Sequence, residues 1–151
     1  MWIAGIQYFT DNRDLAFAWY FTAKPPRHRP EKLEGYTRFR QALIHIGYKV
    51  IDKEVRVIED KESNQIKLKG NLDIEMAFKM LSGVPHYDEA VVLGGDSDFI
   101  PIFQYLVNLG KTVVCVGRKA STSLDLINAA TKFIDLENIK DRIEKKIREG
   151  R

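Results

Sequence analysis

The chain has 151 residues, which is the size of one domain with a hydrophobic core. Hydrophobic residues make up 44% and charged residues 30% of it, as in an ordinary globular protein, and no apolar run approaches the ~20 residues of a membrane span, so a membrane is not expected as a partner. The net charge of +3 allows a polyanionic partner without requiring one, and the single cysteine, Cys115, excludes a disulfide framework and favours a reducing, cytoplasmic location.

The first half of the chain is predicted to contain two strands separated by a loop and a helix. Residues 15–23 are continuously apolar and aromatic, which indicates a strand buried on both faces. The prolines of residues 24–30 indicate a loop without regular structure. Apolar residues at helical spacing predict a helix over residues 33–46 that ends at Gly47, and the alternation in residues 48–58 predicts a strand.

The second half of the chain alternates short apolar strands with amphipathic helices. Ser121 or Thr122 is the expected N-cap of the helix at residues 123–131. Three isoleucines at helical spacing lie on a charged C-terminal helix, so residues 1–136 are assigned to the domain and residues 137–151 to this helix. The other predicted elements are strands at residues 66–68, 90–94 and 112–116 and helices at residues 72–81 and 100–109.

This alternation predicts an α/β fold. Strands that alternate with helices are typical of βαβ units, and right-handed crossovers then place helices on both faces of the sheet. The expected architecture is a three-layer α/β/α sandwich with a mainly parallel sheet. The strands near residues 17–22, 48–51, 90–94 and 112–116 are expected to lie side by side and parallel in one sheet.

The segment Gly94-Gly95-Asp96-Ser97-Asp98 is the sharpest candidate site. It follows a buried strand, and ligands of open α/β sheets bind at the carboxyl ends of strands. Two neighbouring carboxylates repel each other unless a cation or a proton lies between them, and oxygen ligands suit Mg²⁺. The alternative is structural, because Asp96 or Ser97 could cap the helix that starts near Ile100.

Two further segments carry candidate ligand-binding residues. Asp73 lies in the first turn of a predicted helix, where a carboxylate stabilises the helix even without a metal, and Lys69 is either a phosphate contact or a solvated lysine. Ser121 opens another predicted helix after a strand, where free backbone N–H groups can hold a phosphate or need only ordinary capping.

A basic stretch around residues 24–40 is the candidate contact for nucleic acid. Arg27 and Arg29 lie in its proline-rich loop, and basic side chains of this kind contact phosphates. Tyr36 and Phe39 interleave with the basic residues and could stack on unpaired bases, although their helical spacing favours a place in the core. The loop could equally be solvated surface.

Taken in chain order, several segments resemble the NYN domain family, a PIN-like group that includes the LabA-like proteins. The resemblance covers residues 15–136. It depends mainly on two motifs, the KGxxD helix start that ends at Asp73 and the GGDSDF segment that holds Asp96 and Asp98. Weaker likenesses are the AWYFT strand, the GYKV strand entry, the LGKTV strand and the closing AST helix and FIDL strand.

The resemblance implies a PIN-like (Rossmann-like) topology and Mg²⁺- or Mn²⁺-dependent cleavage of RNA. Single-stranded RNA is the expected partner. Asp73, Asp96 and Asp98 match the family's catalytic metal ligands, and Lys69, Ser97, Ser121, Arg27 and Arg29 are the expected substrate contacts. A homodimer is left open. A nucleotide-sugar transferase with a DxD motif is disfavoured because 151 residues leave little room for donor and acceptor sites.

The sequence departs from the family pattern in two places, and both remove negative charge. Residues 1–10 are apolar and could form a strand or the end of a helix. Only fourteen residues precede Leu15, which is too few for the family's first strand, its acid and the helix that follows, so that strand is expected to be missing. Lys79 stands where matching members often carry an acid. Weak Mn²⁺-favoured cleavage is therefore expected, and the competing function is an inactive RNA-binding or protein-interaction module with the same fold.

Overall fold

The computed structural model describes residues 9, 13–27, 29–60, 65–69 and 71–148, and it describes side chains for all of these except residues 56–60, 65–69 and 143–148. The prediction for residues 1–10 therefore lies outside the described residues apart from Phe9, which is helical. The chain divides into two compact units, one of residues Phe17–Met76 and one of residues Met1–Ala16 with Ala77–Arg151. None of the described helices is long and apolar enough to cross a membrane.

The Phe17–Met76 unit contains a two-stranded parallel sheet, one long helix and a hairpin. Strands β1 and β2 pair in parallel from Trp19 opposite Lys49 to Lys24 opposite Glu54, while β3 and β4 are antiparallel. Helix α1 ends where Gly47 adopts a φ of +99°, which confirms the predicted glycine stop. The elements are β1 (Trp19–Lys24), α1 (Pro30–His45), β2 (Lys49–Glu54), β3 (Arg56–Asp60) and β4 (Gln65–Lys69).

Side-chain hydrogen bonds tie α1 to the adjacent strand β2. The Tyr36 hydroxyl donates to Asp52 over 2.5 Å, and Nε of Arg40 donates to the same carboxylate over 2.9 Å. The hydrogen bonds from Tyr36 and Arg40 hold the pKa of Asp52 below its ordinary value. Burial and the Asp52 carboxylate raise the pKa of Tyr36. Two members of the predicted basic and aromatic surface therefore have a structural role.

Three boundaries predicted for this unit were wrong. Strand β1 begins at Trp19 rather than at residue 15, and it is half-buried rather than buried on both faces, because β2 is its one partner among the described strands. Helix α1 begins at Pro30, since proline is well tolerated in a first helical turn where no N–H partner is needed. The predicted strand over residues 48–58 breaks at Val55, where β2 ends and the hairpin starts.

The other unit is built on a three-stranded parallel sheet in the order β5-β6-β7. Its central strand β6 is buried from Val113 to Gly117, and Leu106 and Phe103 of helix α3 are almost fully buried where α3 packs on β6. Its elements are α2 (Asp73–Ser82, which begins four residues before the unit boundary), β5 (Glu89–Leu93), α3 (Ile100–Asn108), β6 (Thr112–Gly117), α4 (Leu124–Ala129), β7 (Lys132–Asp135) and α5 (Leu136–Arg148).

The predicted fold class, mixed α/β with parallel strands and helices packed around them, is confirmed. The described strands do not form the one continuous sheet that was expected, because β1–β2 and β5–β6–β7 are separate hydrogen-bonded sheets. The N-cap of α4 was also predicted wrongly. Ser123 caps this helix by accepting a hydrogen bond from the Leu126 N–H over 3.2 Å, since its backbone is extended where the helix begins.

Candidate metal centre

The centre begins where β5 ends and two glycines turn the chain. The Gly94 N–H donates to the Val116 carbonyl over 3.0 Å, which extends the pairing of β5 with β6 by one residue. The Cys115 thiol donates to the Gly94 carbonyl over 3.4 Å, and burial raises the pKa of this thiol. The turn that follows is therefore attached to the most deeply buried strand of the unit.

Asp96 caps the short 3₁₀ helix Ser97–Phe99 that leads into α3. Its carboxylate accepts a hydrogen bond from the Asp98 N–H over 3.0 Å, so it caps this short helix and not α3 itself, whose N-cap is Phe99. One carboxylate oxygen is used in this way, while the side chains of Asp96 and Asp98 are both exposed. The capping role and a ligand role for Asp96 are therefore compatible.

Asp73 is the first residue of α2, in the helix turn where it was predicted. Its N–H donates to the Asn71 side chain over 2.7 Å, so Asn71 rather than Asp73 satisfies the free backbone donor. The Asp73 carboxylate is half-buried and is stabilised by the amino end of the helix dipole. The side chain of Lys69 lies outside the described residues.

The three predicted ligands come together. One carboxylate oxygen from each of Asp73, Asp96 and Asp98 lies within 4.8 Å of the other two, and no further histidine, cysteine or acid shares this group among the side chains described. The boundary between the two units falls inside α2, after Met76, and α2 is one continuous helix.

Three like charges at these separations are electrostatically unfavourable in the absence of a cation. Two unit charges about 4 Å apart repel by roughly 1 kcal/mol in bulk water and by about 4 kcal/mol at the lower effective dielectric near a protein surface. Water screens Asp96 and Asp98 because both are exposed, so the lower figure is closer to the real cost for that pair. A divalent cation would convert this repulsion into attraction.

Hydroxyl groups beside the acids link the segments after β5 and β6. The Oγ atoms of Ser97 and Ser123 lie 2.9 Å apart, so the residue between the two acids contacts the N-cap of α4. The Ser121 hydroxyl instead donates to the Arg118 carbonyl over 3.4 Å within its own turn. Sequence reasoning singled out Ser97 and Ser121 but missed Ser123, because three hydroxyl residues in succession precede α4 and only geometry selects among them.

Two charged residues of α2 lie away from the acidic group. Nζ of Lys53 lies 2.7 Å from the Glu75 carboxylate, and its hydrogen bond is the main cause that lowers the pKa of Glu75. Six positions along an α-helix separate Lys79 from Asp73 by about 120° around the axis. The Lys79 ammonium lies 5.9 Å from the centre of the exposed Phe78 ring. Glu75 therefore does not replace the acid expected at position 79.

The four arginines between residues 27 and 40 fall into two groups. Arg40 is bound to Asp52, and Arg38 lies 3.7 Å from Glu34 in an exposed pair. Arg27 is exposed and Arg29 is half-buried, and within the described residues neither has a carboxylate within salt-bridge distance.

The fold and the carboxylate group define an α/β domain with oxygen ligands beside the carboxyl end of a parallel strand. The model of the NYN domain family matches residues 4–137, and the chain belongs to this family. It is 30% identical over 144 residues to the low amplitude and bright protein LabA of Synechococcus elongatus, a match that covers 93% of this chain and 74% of LabA.

A solved structure has a similar fold. It is that of VPA0982, a protein of unknown function from Vibrio parahaemolyticus, which superposes with a TM-score of 0.71 at 20% identity. The superposition covers 89% of this chain and 77% of that one. At this level of identity the similarity supports the fold and carries no information about activity.

Proposed function

We propose that this chain is a metal-dependent ribonuclease of the PIN-like type, in which Asp73, Asp96 and Asp98 hold Mg²⁺ or Mn²⁺ beside the scissile phosphate. One observation carries the proposal: three carboxylates converge beside the end of a parallel strand in an NYN domain. NYN domains belong to the PIN-like nuclease superfamily, so a divalent ion and an RNA substrate are the natural chemistry for such a group. The one cysteine, buried and unpaired, supports a cytoplasmic location.

The residues present fit a hard divalent ion. Mg²⁺ takes oxygen ligands in octahedral geometry, usually one or two carboxylates together with water and substrate phosphate. Asp96 uses one oxygen in its cap and keeps the other, and the exposure of Asp96 and Asp98 leaves room for an incoming phosphate. A bound ion would supply Lewis acidity toward a phosphate oxygen and would lower the pKa of a nearby water molecule.

The chain's own residues orient the substrate. The three carboxylates form one side of the site, and their negative charge repels a phosphate that is not accompanied by a cation. Ser97 is held by Ser123, whose Oγ accepts the Leu126 N–H and can donate its proton to Ser97. The Ser97 hydroxyl is then free to donate to a phosphate oxygen of the bound strand.

The number of acids favours slow cleavage. The described residues contribute three carboxylates to the group, whereas a two-metal site must hold both ions about 4 Å apart. Glu75 is paired with Lys53, and a lysine occupies position 79, where matching family members often carry an acid. The same observation favours the second candidate function, a module that binds RNA without cleaving it.

Labelled single-stranded RNA incubated with the protein tests the proposal. We expect slow cleavage that needs added metal, is faster with Mn²⁺ than with Mg²⁺ and stops when EDTA is added. Cleavage at an unchanged rate in EDTA would contradict the proposal. Binding of the RNA without cleavage in any metal would identify the chain as the non-catalytic module instead.

The basic loop before α1 gives a separate prediction about RNA binding. Replacing Arg27, Arg29 and Lys32 together with glutamine should weaken binding about equally for all single-stranded sequences, since phosphate contacts carry no sequence information. Each lost contact should also reduce the slope of log affinity against log salt concentration by roughly 0.7. Fluorescence anisotropy at several salt concentrations measures both quantities.

A control with the same loss of charge separates a local contact from the general field of the protein. Lys49, Lys132 and Lys140 are all exposed and lie outside the basic stretch, and replacing these three with glutamine changes the net charge equally. The control should keep most of the salt dependence. Equal slopes in the two triple variants would show that the loop makes no phosphate contacts.

A further inference from the structure

Thr122 is a polar side chain buried beside the candidate metal centre. It is 8% exposed and is the one buried polar side chain among the residues described. Its hydroxyl donates to the Arg118 carbonyl over 2.8 Å and so closes the turn between β6 and α4. That hydrogen bond fixes the rotamer of Thr122, so its Oγ1 atom has a defined position.

Two glycines make space for this side chain: Gly95, which follows β5, and Gly117, which is the last residue of β6. A Cβ atom added at Gly95 would lie 2.9 Å from Oγ1 of Thr122, and one added at Gly117 would lie at the same distance. Neither glycine has a positive φ, so the backbone does not demand glycine at these positions. The glycines are needed for space. At Gly94, by contrast, an added Cβ atom meets nothing within 4 Å.

The contact between Thr122 and Gly95 lies next to the acids. Gly95 directly precedes Asp96, and the Asp96 carboxylate in turn holds the Asp98 N–H. The chain on the other side of the turn is fixed, because Gly94 is bonded to Val116 and Cys115 of the buried strand β6. A displacement at Gly95 is therefore passed to Asp96 and Asp98 rather than absorbed by the sheet.

We propose that Thr122 is a positioning residue for the metal centre: wedged between Gly95 and Gly117, it sets the place of Asp96 and Asp98 and thereby the affinity for the cation. The inference rests on the proposed metal site. A methyl group at Gly95 must open the contact with Oγ1 by on the order of 0.5 Å before it becomes an ordinary van der Waals distance. Ligand constellations tolerate displacements of only about that size.

The test compares Mn²⁺ affinity in a small set of variants by calorimetric titration of the whole chain, with thermal unfolding measured in parallel. Gly95→Ala should weaken Mn²⁺ binding by about tenfold, since the displaced acids lose their geometry. Removing Oγ1 as well, in Gly95→Ala/Thr122→Ala, should restore affinity to within about threefold of that of Thr122→Ala alone. Gly94→Ala is the matched control and should bind as the wild type does.

The conservative variant Thr122→Ser and the unfolding temperatures of all the variants complete the test. Thr122→Ser keeps the hydroxyl and should keep wild-type affinity, whereas a role in stability alone would shift the unfolding temperature and leave affinity unchanged in every folded variant. If Gly95→Ala does not fold, the double variant must both fold and bind Mn²⁺.

Two results overturn the inference while leaving the metal site intact. One is a folded Gly95→Ala variant that binds as tightly as the wild type. The other is a double variant that binds Mn²⁺ no better than Gly95→Ala. If Gly95→Ala does not fold, the corresponding result is a double variant that also fails to fold, or that folds and does not bind Mn²⁺. Absence of Mn²⁺ binding in the wild type would overturn the metal site itself and this inference with it.

Discussion

Replacement of Asp98 by asparagine is expected to lower the rate of Mn²⁺-dependent RNA cleavage by about 100-fold, the size of effect seen when one electrostatic group is removed from an active site. Asparagine has the same shape as aspartate but no charge. The backbone N–H of Asp98, not its side chain, makes the hydrogen bond to Asp96, so the local turn is kept. Initial rates on a labelled single-stranded RNA measure the effect, with the unfolding temperature recorded to confirm an intact fold.

Asp88→Asn provides the matched control for this comparison. Asp88 is fully exposed just before β5 begins, whereas Asp98 follows the other end of the same strand. The ion pair of Asp88 with Lys111 is long at 3.5 Å. An exposed pair of this kind contributes little to stability. Asp88→Asn should cleave like the wild type. Equal activity in Asp98→Asn would show that the cleavage comes from another site or from a contaminating nuclease.

Replacement of Leu106 by alanine is expected to lower the free energy of unfolding by about 2–5 kcal/mol. Leu106 has no exposed surface and lies in α3 where this helix packs on β6, so alanine leaves a cavity that close-packed neighbours cannot fill completely. Urea denaturation measures the change, as a lower midpoint with an unchanged slope. Because α3 directly follows the segment that carries Asp96 and Asp98, metal affinity should fall in the same variant.

The neighbouring residue supplies the control for the core. Val107 is 38% exposed on the same helix, so alanine there removes little buried surface and costs no helix propensity. Its effect should stay within about 0.5 kcal/mol. A loss of similar size in the two variants would mean that α3 does not pack on the sheet as described.

Local sequence patterns predicted the elements whose formation depends on their own apolar residues and terminal glycines. The short apolar run at residues 112–116 predicted a strand, and β6 confirms it, with burial from Val113 to Gly117. The glycine predicted to end α1 was a correct stop signal because Gly47 adopts a φ of +99°, and Gly110 after α3 adopts a φ of +77° in the same way. The three acids that the family resemblance grouped as metal ligands do lie together in the structure.

Features that depend on contacts distant in sequence could not be predicted. Strand β2 ends before Val55 although the alternating pattern continues past it. The pattern alone does not show where a strand changes its pairing partner. The pairing of Ser97 with Ser123 links residues 26 positions apart that ordinary capping rules treat separately. The engagement of Glu75 by Lys53 likewise follows from packing and not from any motif.

Titration of the protein with Mn²⁺ is the most direct test of the central claim, that Asp73, Asp96 and Asp98 hold a divalent cation. Asp96→Asn isolates the charge, because an asparagine side chain can still accept the hydrogen bond from the Asp98 N–H and cap the turn. The wild type should bind Mn²⁺, and Asp96→Asn should bind it at least about tenfold more weakly at an unchanged unfolding temperature. Equal affinity in the two proteins, or no binding by the wild type, would contradict the metal centre.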